Sequence, residues 1–229
     1  MGRLRILSNL IMVGWLAWNQ PSLVFGEPYR PQHNEQVLER LSVKRTDPVT
    51  RELSRLRATL SRQPEHLDAA VSLATKLIEQ ARSDGDPRFL GQAQAILALW
   101  WNQTDAPPAV LLLRATIRQN AHEFDLALAD LDTILNRHPA NAQARLTKAS
   151  ILQVQGRYDE ARRACQPLLR LAARHVAQTC LGDIAGLTGH AKESRELLVA
   201  SLERPGLSLR ERLWILTVLA EMAGRAGDI

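Results

Sequence analysis

The sequence predicts an all-α protein, a solenoid of antiparallel helix pairs, because one pattern of residues is written twice in it. A shift of 34 positions, applied over 108–173, places small residues on small ones and apolar residues on apolar ones. A period near 34 with small residues at fixed phases is typical of stacked helix–turn–helix units. The matched pairs are Leu112 with Leu146, Ala115 with Ala149, Ile117 with Ile151, Gln119 with Gln153, Phe124 with Tyr158, Asp125 with Asp159, Ala127 with Ala161 and Leu135 with Leu169.

Packing explains why these positions repeat. Ala115 and Ala149 lie where the first helix of a pair must approach the second closely, and Ala127 and Ala161 are their counterparts on the second helix. Small side chains at such positions let two helices pack at short distance. A third copy follows, with a small residue, a turn residue and an apolar residue in the matching places: Gly182, Gly189 and Leu198.

This phasing resembles the tetratricopeptide repeat (TPR) family over roughly residues 48–229, and the spacing is specific over 108–202. The resemblance implies a right-handed solenoid that binds a protein or an extended peptide in a groove formed by its first helices. Two departures affect curvature rather than fold class. Charged residues stand at Arg114 and Lys148, where a large apolar residue is usual, and Pro167 falls inside a predicted helix, which it should bend.

The N-terminus, residues 1–26, has the three regions of a secretory signal peptide. It begins with the basic stretch 1–5, continues with a mostly apolar run over 6–18, and ends with compact residues before a cleavage site at Glu27. The apolar run is shorter than the approximately 20 residues that a spanning helix needs. We therefore expect export, to the periplasm of a bacterium. An uncleaved N-terminal anchor is the alternative, and it is the only route by which we expect membrane attachment.

The charge of the chain does not favour nucleic acid as a partner. The formal net charge is +5 at pH 7, and removal of Arg3 and Arg5 with the leader leaves +3. The basic residues are interspersed with acidic ones, whereas nucleic-acid binding calls for a concentrated basic patch.

Four segments are predicted in order: the signal peptide, a polar tether with a short helix from Val37 (27–47), degenerate TPR-like helices that cap the N-terminus (48–107), and repeats over 108–229. Asp before Pro48 is a favourable helix start. The final repeat is predicted to be incomplete, because a first helix is followed by Ile229 where its second helix should begin; we interpret this as truncation. The predicted inner face of that helix is Leu213, Leu216, Leu219, Ala220 and Ala223.

No catalytic or metal-binding motif is present in the sequence. We therefore expect no enzymatic activity, no cofactor and no small-molecule substrate. The sequence contains no glycine-rich phosphate loop, no His-Glu-x-x-His and no Gly-x-Ser-x-Gly. Its six histidines have spacings that fit no metal site. Asp130 and Asp132 are assigned to a solvated helix face, and Trp100 and Trp101 to packing rather than to a ligand platform.

The resemblance places the first helix of each pair on the concave face, where positions flanking the small residue point into the groove. An apolar residue, a hydroxyl and an amide recur at these positions, and hydroxyls and amides suit the backbone of an extended peptide. A polar ladder of Gln119, Gln153, Thr116 and Ser150 is predicted; the alternative is a solvated face, with the interface on the convex side or at the C-terminal end. The full set is Leu112, Thr116, Gln119, Asn120, Gln143, Leu146, Ser150, Gln153 and Asp183.

The two cysteines are predicted to form a disulfide if the chain is exported. Cys165 and Cys180 lie on consecutive antiparallel helices joined near Ala173, at similar distances from the turn, so the helical rise puts them at similar height. An oxidising compartment permits the bond. Two buried free thiols are the alternative.

Three functional hypotheses follow. The first is a non-enzymatic exported scaffold for protein or peptide binding. The second is the N-terminal TPR region of a longer enzyme, and the third is a membrane-anchored assembly factor. A catalytic domain downstream of the chain would favour the second hypothesis, and an intact leader would favour the third.

Overall fold

The computed structural model describes residues 30–33, 35–37 and 48–228. The chain consists of two units, residues 1–44 and residues 45–229. The leader, its cleavage site and nearly all of the predicted helix from Val37 lie outside the described residues. In the first unit, the described part of the tether contains a turn, in which the Gln36 amide donates to the His33 carbonyl over 3.1 Å.

The second unit is an α-solenoid, which confirms the predicted fold class, and its described residues contain no strand. Each clear repeat is a pair of helices joined by a tight turn, followed by a connection to the next pair. The helices are α1 (Pro48–Arg62), α2 (Leu67–Asp84), α3 (Arg88–Ile96), α4 (Ala98–Trp101), α5 (Pro108–Asn120), α6 (Phe124–Arg137), α7 (Ala142–Val154), α8 (Tyr158–Cys165), α9 (Leu168–Leu171), α10 (Arg174–Leu187), α11 (Ala191–Leu202) and α12 (Leu209–Ala226).

The small residues of the repeat lie where two helices of a pair meet. Ala115 and Ala149 are buried, as are Ala127 and Ala161 on the second helices. At Gly182 the helices approach so closely that an added Cβ would lie 2.9 Å from the Ser194 Oγ of α11. The Ser194 hydroxyl donates a 2.6 Å hydrogen bond to the Gly182 carbonyl, so this pair of helices is also joined by a polar contact.

Every first helix from α2 onward ends beside a residue with positive φ, and these residues define a structural register. They are Gly85, His122, Gly156, Gly189 and Gly227. Glycine adopts this left-handed conformation without a steric penalty. His122 occupies the position of Gly156 one repeat earlier and is the only non-glycine with positive φ among the described residues.

The second helix of the repeat that begins with α7 is interrupted, as the presence of Pro167 predicts. α8 ends at Cys165 and a separate short helix, α9, begins after Pro167. The sequence match between Leu135 and Leu169 is consequently not a match in packing. Leu135 packs against the core, whereas Leu169 is 57% exposed, because the last turn no longer continues the axis of α8.

The assignment of Asp130 to a solvated face is wrong, whereas Asp132 is exposed. Asp130 is 5% exposed and accepts two hydrogen bonds from the Arg114 guanidinium, at 2.9 and 2.7 Å. Arg118 donates a third, at 2.7 Å. Arg114, the departure noted in the sequence, is thus a buried arginine whose charge is neutralised by a carboxylate on the second helix of its own pair.

Arg114 also fixes the connection that precedes its helix. Its Nη1 donates to the carbonyls of Trp101 and Gln103, the latter over 3.0 Å. The Arg118 guanidinium lies 5.8 Å from the centre of the Trp101 ring, within range of a cation–π contact. Trp100 packs against the core. Both tryptophans therefore have packing roles, and the cluster holds residues 101–103 against the α5–α6 pair.

The predicted inner face of α12 is wrong at three of its five positions, whereas Leu219 and Ala223 are half-buried. α12 buries Ile215, Val218 and Met222 against α10 and α11. The predicted residues at 213, 216 and 220 are exposed. The physical reason is that no second helix packs on α12 within the described chain, so only its side toward the preceding repeat is covered.

Candidate functional site

A groove of about 400 Å³ opens along the first helices of the pairs. It runs from α2 across α7 to α12, and its walls mix amide, hydroxyl and charged side chains with apolar ones. Its lining residues are Arg82, Gln119, Gln143, Leu146, Thr147, Ala149, Ser150, Gln153, Cys180, Asp183 and Trp214.

Six of the predicted concave-face residues line this groove: Gln119, Gln143, Leu146, Ser150, Gln153 and Asp183. Leu112, Thr116 and Asn120 do not. The Thr116 hydroxyl donates to the Leu112 carbonyl over 2.9 Å, and the Asn120 amide donates to the Thr116 carbonyl over 2.8 Å. These polar groups are therefore satisfied within α5 itself.

The predicted polar residues form hydrogen bonds between neighbouring first helices. Gln119 of α5 donates to the Ser150 hydroxyl of α7 over 3.3 Å. One repeat later, Gln153 of α7 donates to the Asp183 carboxylate of α10 over 2.7 Å. The two bonds are equivalent in the repeat, and we call them the amide rungs. The amide N–H groups thus serve the packing of the solenoid, while the Oε1 atoms of both glutamines have no donor among the described residues.

The positive-φ residues at the turns show which residues occupy equivalent positions in successive first helices. Arg82, Gln119 and Gln153 each lie three residues before the positive-φ residue that ends their helix. Counting back six residues gives another row, Glu79, Thr116, Ser150, Asp183 and Glu221. Arg82 was missed from the sequence because α2 does not match the 34-residue pattern. The position of Arg82 three residues before Gly85 is the sequence signal that could have identified it.

A third rung is absent in the described chain, because Gly186 of α10 stands where the glutamines stand. A Cβ at Gly186 would overlap the Met222 side chain of α12. A larger residue at this position would require the flexible end of the Met222 side chain to move. In place of a rung, Arg225 of α12 lies 4.0 Å from Asp183 and 3.8 Å from Glu221.

Asp183 is the acidic residue of the groove. Its Oδ2 accepts the rung from Gln153, while its Oδ1 is inaccessible to solvent and has no hydrogen-bond partner among the described residues. Arg225, at 4.0 Å, is near enough for attraction but too far for a hydrogen bond. Arg82 of α2 also lines the groove and has no ion-pair partner among the described residues. The groove lining therefore combines a carboxylate that Gln153 already engages with a guanidinium, that of Arg82, which can donate to a ligand.

Contacts of α12 close the end of the groove. Arg210 lies 3.5 Å from Glu79 of α2, an exposed ion pair that links the two outermost first helices. The Glu211 carboxylate lies 2.7 Å from His175 Nε2 of α10 and accepts hydrogen bonds from the side chain and the backbone N–H of Ser208. His175, followed by Ser208, lowers the pKa of Glu211 to about 2. Trp214, three residues further along the same helix, lines the groove.

The cysteines are joined in the structure. A disulfide links Cys165 of α8 to Cys180 of α10, with 5.9 Å between their Cα atoms. Cys165 is fully buried and Cys180 is 7% exposed at the groove wall. The bond therefore ties one side of the groove to the preceding repeat, next to the interruption at Pro167.

The described residues include no group of three or more histidine, cysteine, aspartate or glutamate side chains placed to hold a metal ion. Among the same residues, no helix combines the length and the apolarity that crossing a bilayer requires.

The stacked pairs, the close small-residue contacts and the groove along the first helices define a helical-repeat solenoid. A family model described as "Tetratricopeptide repeat" matches residues 120–178, from the end of α5 into α10. This matched segment is tetratricopeptide-repeat sequence, and the helix pairs on either side of it continue the same kind of solenoid.

Two solved structures share this fold. One is a thermophilic TPR protein of Thermus thermophilus, with 14% identity, a TM-score of 0.54, and coverage of 73% of this chain and 89% of that one. The other is a tetratricopeptide repeat protein of Parabacteroides merdae, with 16% identity, a TM-score of 0.51, and coverage of 78% and 67%. Such identities show the fold alone. No protein of curated function matches the sequence.

Proposed function

We propose that this protein is a non-enzymatic, exported scaffold that binds an extended segment of a partner protein in the groove. TPR domains generally bind protein partners. The observation that carries the proposal is the groove itself: about 400 Å³ of open space lined by six residues that the repeat pattern marks as concave.

The chemistry of the groove suits a peptide backbone. The Oε1 atoms of Gln119 and Gln153 are acceptors without a described donor, so they are available to backbone N–H groups. Arg82 supplies donors, and Leu146 with Trp214 supplies apolar surface. An extended segment presents N–H groups, carbonyls and side chains together, which this mixed lining can match.

Export rests on the leader, with cleavage before Glu27. The Cys165–Cys180 disulfide supports it, because such bonds persist in oxidising compartments. N-terminal sequencing of protein from the envelope fraction is expected to begin at Glu27. Recovery of an intact Met1 on membrane-bound protein would favour the anchored assembly factor instead.

Site-specific photo-crosslinking tests the groove. A benzoylphenylalanine placed at Gln143, a groove residue near the start of α7, is expected to give a discrete adduct with a partner in cells. The matched control is Asp159, whose side chain is 80% exposed at the start of α8 and outside the groove. Adducts at Asp159 but not at Gln143 would place the binding surface elsewhere.

A further inference from the structure

Two pockets outside the groove occupy equivalent places in successive repeats. The first, of about 270 Å³, is lined by residues of α5, of α6 and of the segment 101–104. The second, of about 180 Å³, is lined by residues of α6, α7 and α8. We name them the Arg118 pocket and the Arg163 pocket, each after a residue that lines it. A shift of 34 positions carries lining residues of the first onto lining residues of the second: Trp101 onto Leu135, Arg118 onto Leu152 and Asp130 onto Ala164.

The Arg118 pocket contains a guanidinium with unused donors. Arg114 and Arg118 share one carboxylate, that of Asp130, and the side chains of all three are 5%, 16% and 6% exposed. Arg118 uses its Nη1 for Asp130 and for a backbone carbonyl, while its Nε is shielded from solvent and has no acceptor among the described residues. The Glu123 carboxylate lies 4.0 Å from this Nε, too far for a hydrogen bond. A buried donor without a partner is uncommon and indicates a missing ligand or water.

The Arg163 pocket contains more positive charge than its own carboxylate can balance. Three cations, Arg145, Lys148 and Arg163, line it together with Glu160. Glu160 is already paired with Arg157, and Lys148 with an exposed carboxylate of α6. The Arg145 guanidinium donates to a backbone carbonyl, and Arg163 has no ion-pair or hydrogen-bond partner among the described residues. Both pockets therefore have arginine donors available to an anion.

We propose that the two pockets bind two carboxylate side chains of one acidic segment of a partner protein. Arginine binds carboxylates through charge-assisted hydrogen bonds, which are stronger than neutral ones. The groups left without a partner are guanidinium groups of Arg118, Arg145 and Arg163, so an acidic segment complements them. This inference goes beyond the proposed function, because neither pocket shares a lining residue with the groove.

The spacing of the pockets fits one extended segment. The pockets are one repeat apart, and α5 and α7, which carry their first-helix residues, are neighbouring helices joined by an amide rung. Packed helices lie about 8–10 Å apart. An extended chain advances roughly 3.3–3.6 Å per residue, so acidic residues about three positions apart reach both pockets.

Fluorescence anisotropy with labelled decaglutamate and the full chain tests the proposal at low ionic strength. We expect one peptide to bind per chain, and binding to weaken at least about tenfold in the Arg163→Glu variant. Arg57→Glu on α1 is the matched control, because Arg57 is also exposed and has no ion-pair partner among the described residues. It changes the net charge equally. Equal weakening by both variants would indicate general attraction to a basic protein and would overturn the proposal.

The Arg118 pocket is tested without removing a buried group. Thr104 is an exposed residue that lines this pocket, so Thr104→Glu places a competing carboxylate beside Arg118. We expect it to weaken decaglutamate binding at least about tenfold, and Ser61→Glu at an exposed position of α1 to weaken it less. Two peptides bound per chain, with each variant losing one, would contradict a single bridging segment. Phosphatidylglycerol vesicles that both pocket variants fail to bind, with decaglutamate binding unchanged, would assign the pockets to a membrane surface instead.

Discussion

The Gln153 side chain of α7 donates a 2.7 Å hydrogen bond to the Asp183 carboxylate of α10, across the boundary between two repeats. The same relationship joins Gln119 of α5 to Ser150 of α7 at 3.3 Å. These two side-chain hydrogen bonds are the amide rungs of the groove. They join neighbouring first helices and leave the Oε1 atoms of both glutamines without a donor among the described residues.

The first prediction concerns binding by the rungs. The double change Gln119→Ala and Gln153→Ala is expected to weaken partner binding at least about tenfold, or about 1.4 kcal/mol. Each lost rung also removes a hydrogen bond worth about 1 kcal/mol of stability, so affinity should be measured well below the melting temperature. Isothermal titration calorimetry with the partner that photo-crosslinking identifies measures the dissociation constant. Asp159→Ala serves as the control, and an unchanged affinity would exclude the rungs from the interface.

The second prediction concerns the disulfide. Oxidised protein is expected to be more stable than reduced protein by about 3 kcal/mol in the chain-entropy model, because the Cys165–Cys180 bond closes a loop with a separation of 15 residues. Chemical denaturation with and without reductant measures the difference, and a Cys165→Ala, Cys180→Ala variant should show none. Two alkylatable thiols in unfolded exported protein would rule the bond out.

The third prediction separates two carboxylates of α6. Asp130→Ala is expected to cost about 3–5 kcal/mol, because it leaves the buried Arg114 guanidinium without its partner. Asp132→Ala removes an exposed pair with Lys148 and should cost less than about 1 kcal/mol. Urea unfolding of both variants provides the comparison. Equal effects would mean that the buried pair contributes no more than a surface pair.

The fourth prediction concerns the stability of the folded protein at low pH. The pKa of Glu211 in the folded protein is lowered from 4.5 to about 2, so the folded state favours the charged carboxylate. Its contribution to stability is therefore fully present above pH 4.5 and is lost as the pH falls toward 2. Urea midpoints measured over this range should fall less steeply for Glu211→Gln than for wild type.

Other carboxylates act in the same direction, so the comparison needs a control. Arginine partners lower the pKa values of Glu52, Asp86 and Glu160, and the absolute slope therefore has several sources. The measured quantity is the difference between wild type and Glu211→Gln, with Glu221→Gln on the same helix as the matched variant. Identical slopes in all three proteins would contradict the role of Glu211.

The helices were predictable because their signals are local. Phe124 and Tyr158, a matched pair of the repeat pattern, begin the second helices α6 and α8, and the predicted interruption lies at Pro167. Much of the groove was predictable for a related reason. Residues at one phase of a repeated helix face one side, so Gln119, Gln153 and their neighbours converge once the pairs stack.

Other features depend on contacts between segments far apart in sequence. Asp130 resembles a surface acid by its polarity, yet the α5 arginines bury and neutralise it. Arg82 lies in a helix without the 34-residue pattern and reaches the groove only because the solenoid stacks α2 beside α5.

The sequence by itself determined the all-α class, the helix pairs and the small residues where they meet, because helix periodicity, turn glycines and prolines act over a few residues. Only the tertiary structure decided which side of each helix is covered. On α12 both Ile215 and Leu216 are apolar, but packing against α10 and α11 buries the first and leaves the second 44% exposed. Burial depends on which neighbour occupies each face, and a repeat pattern specifies a neighbour only where the next helix is present.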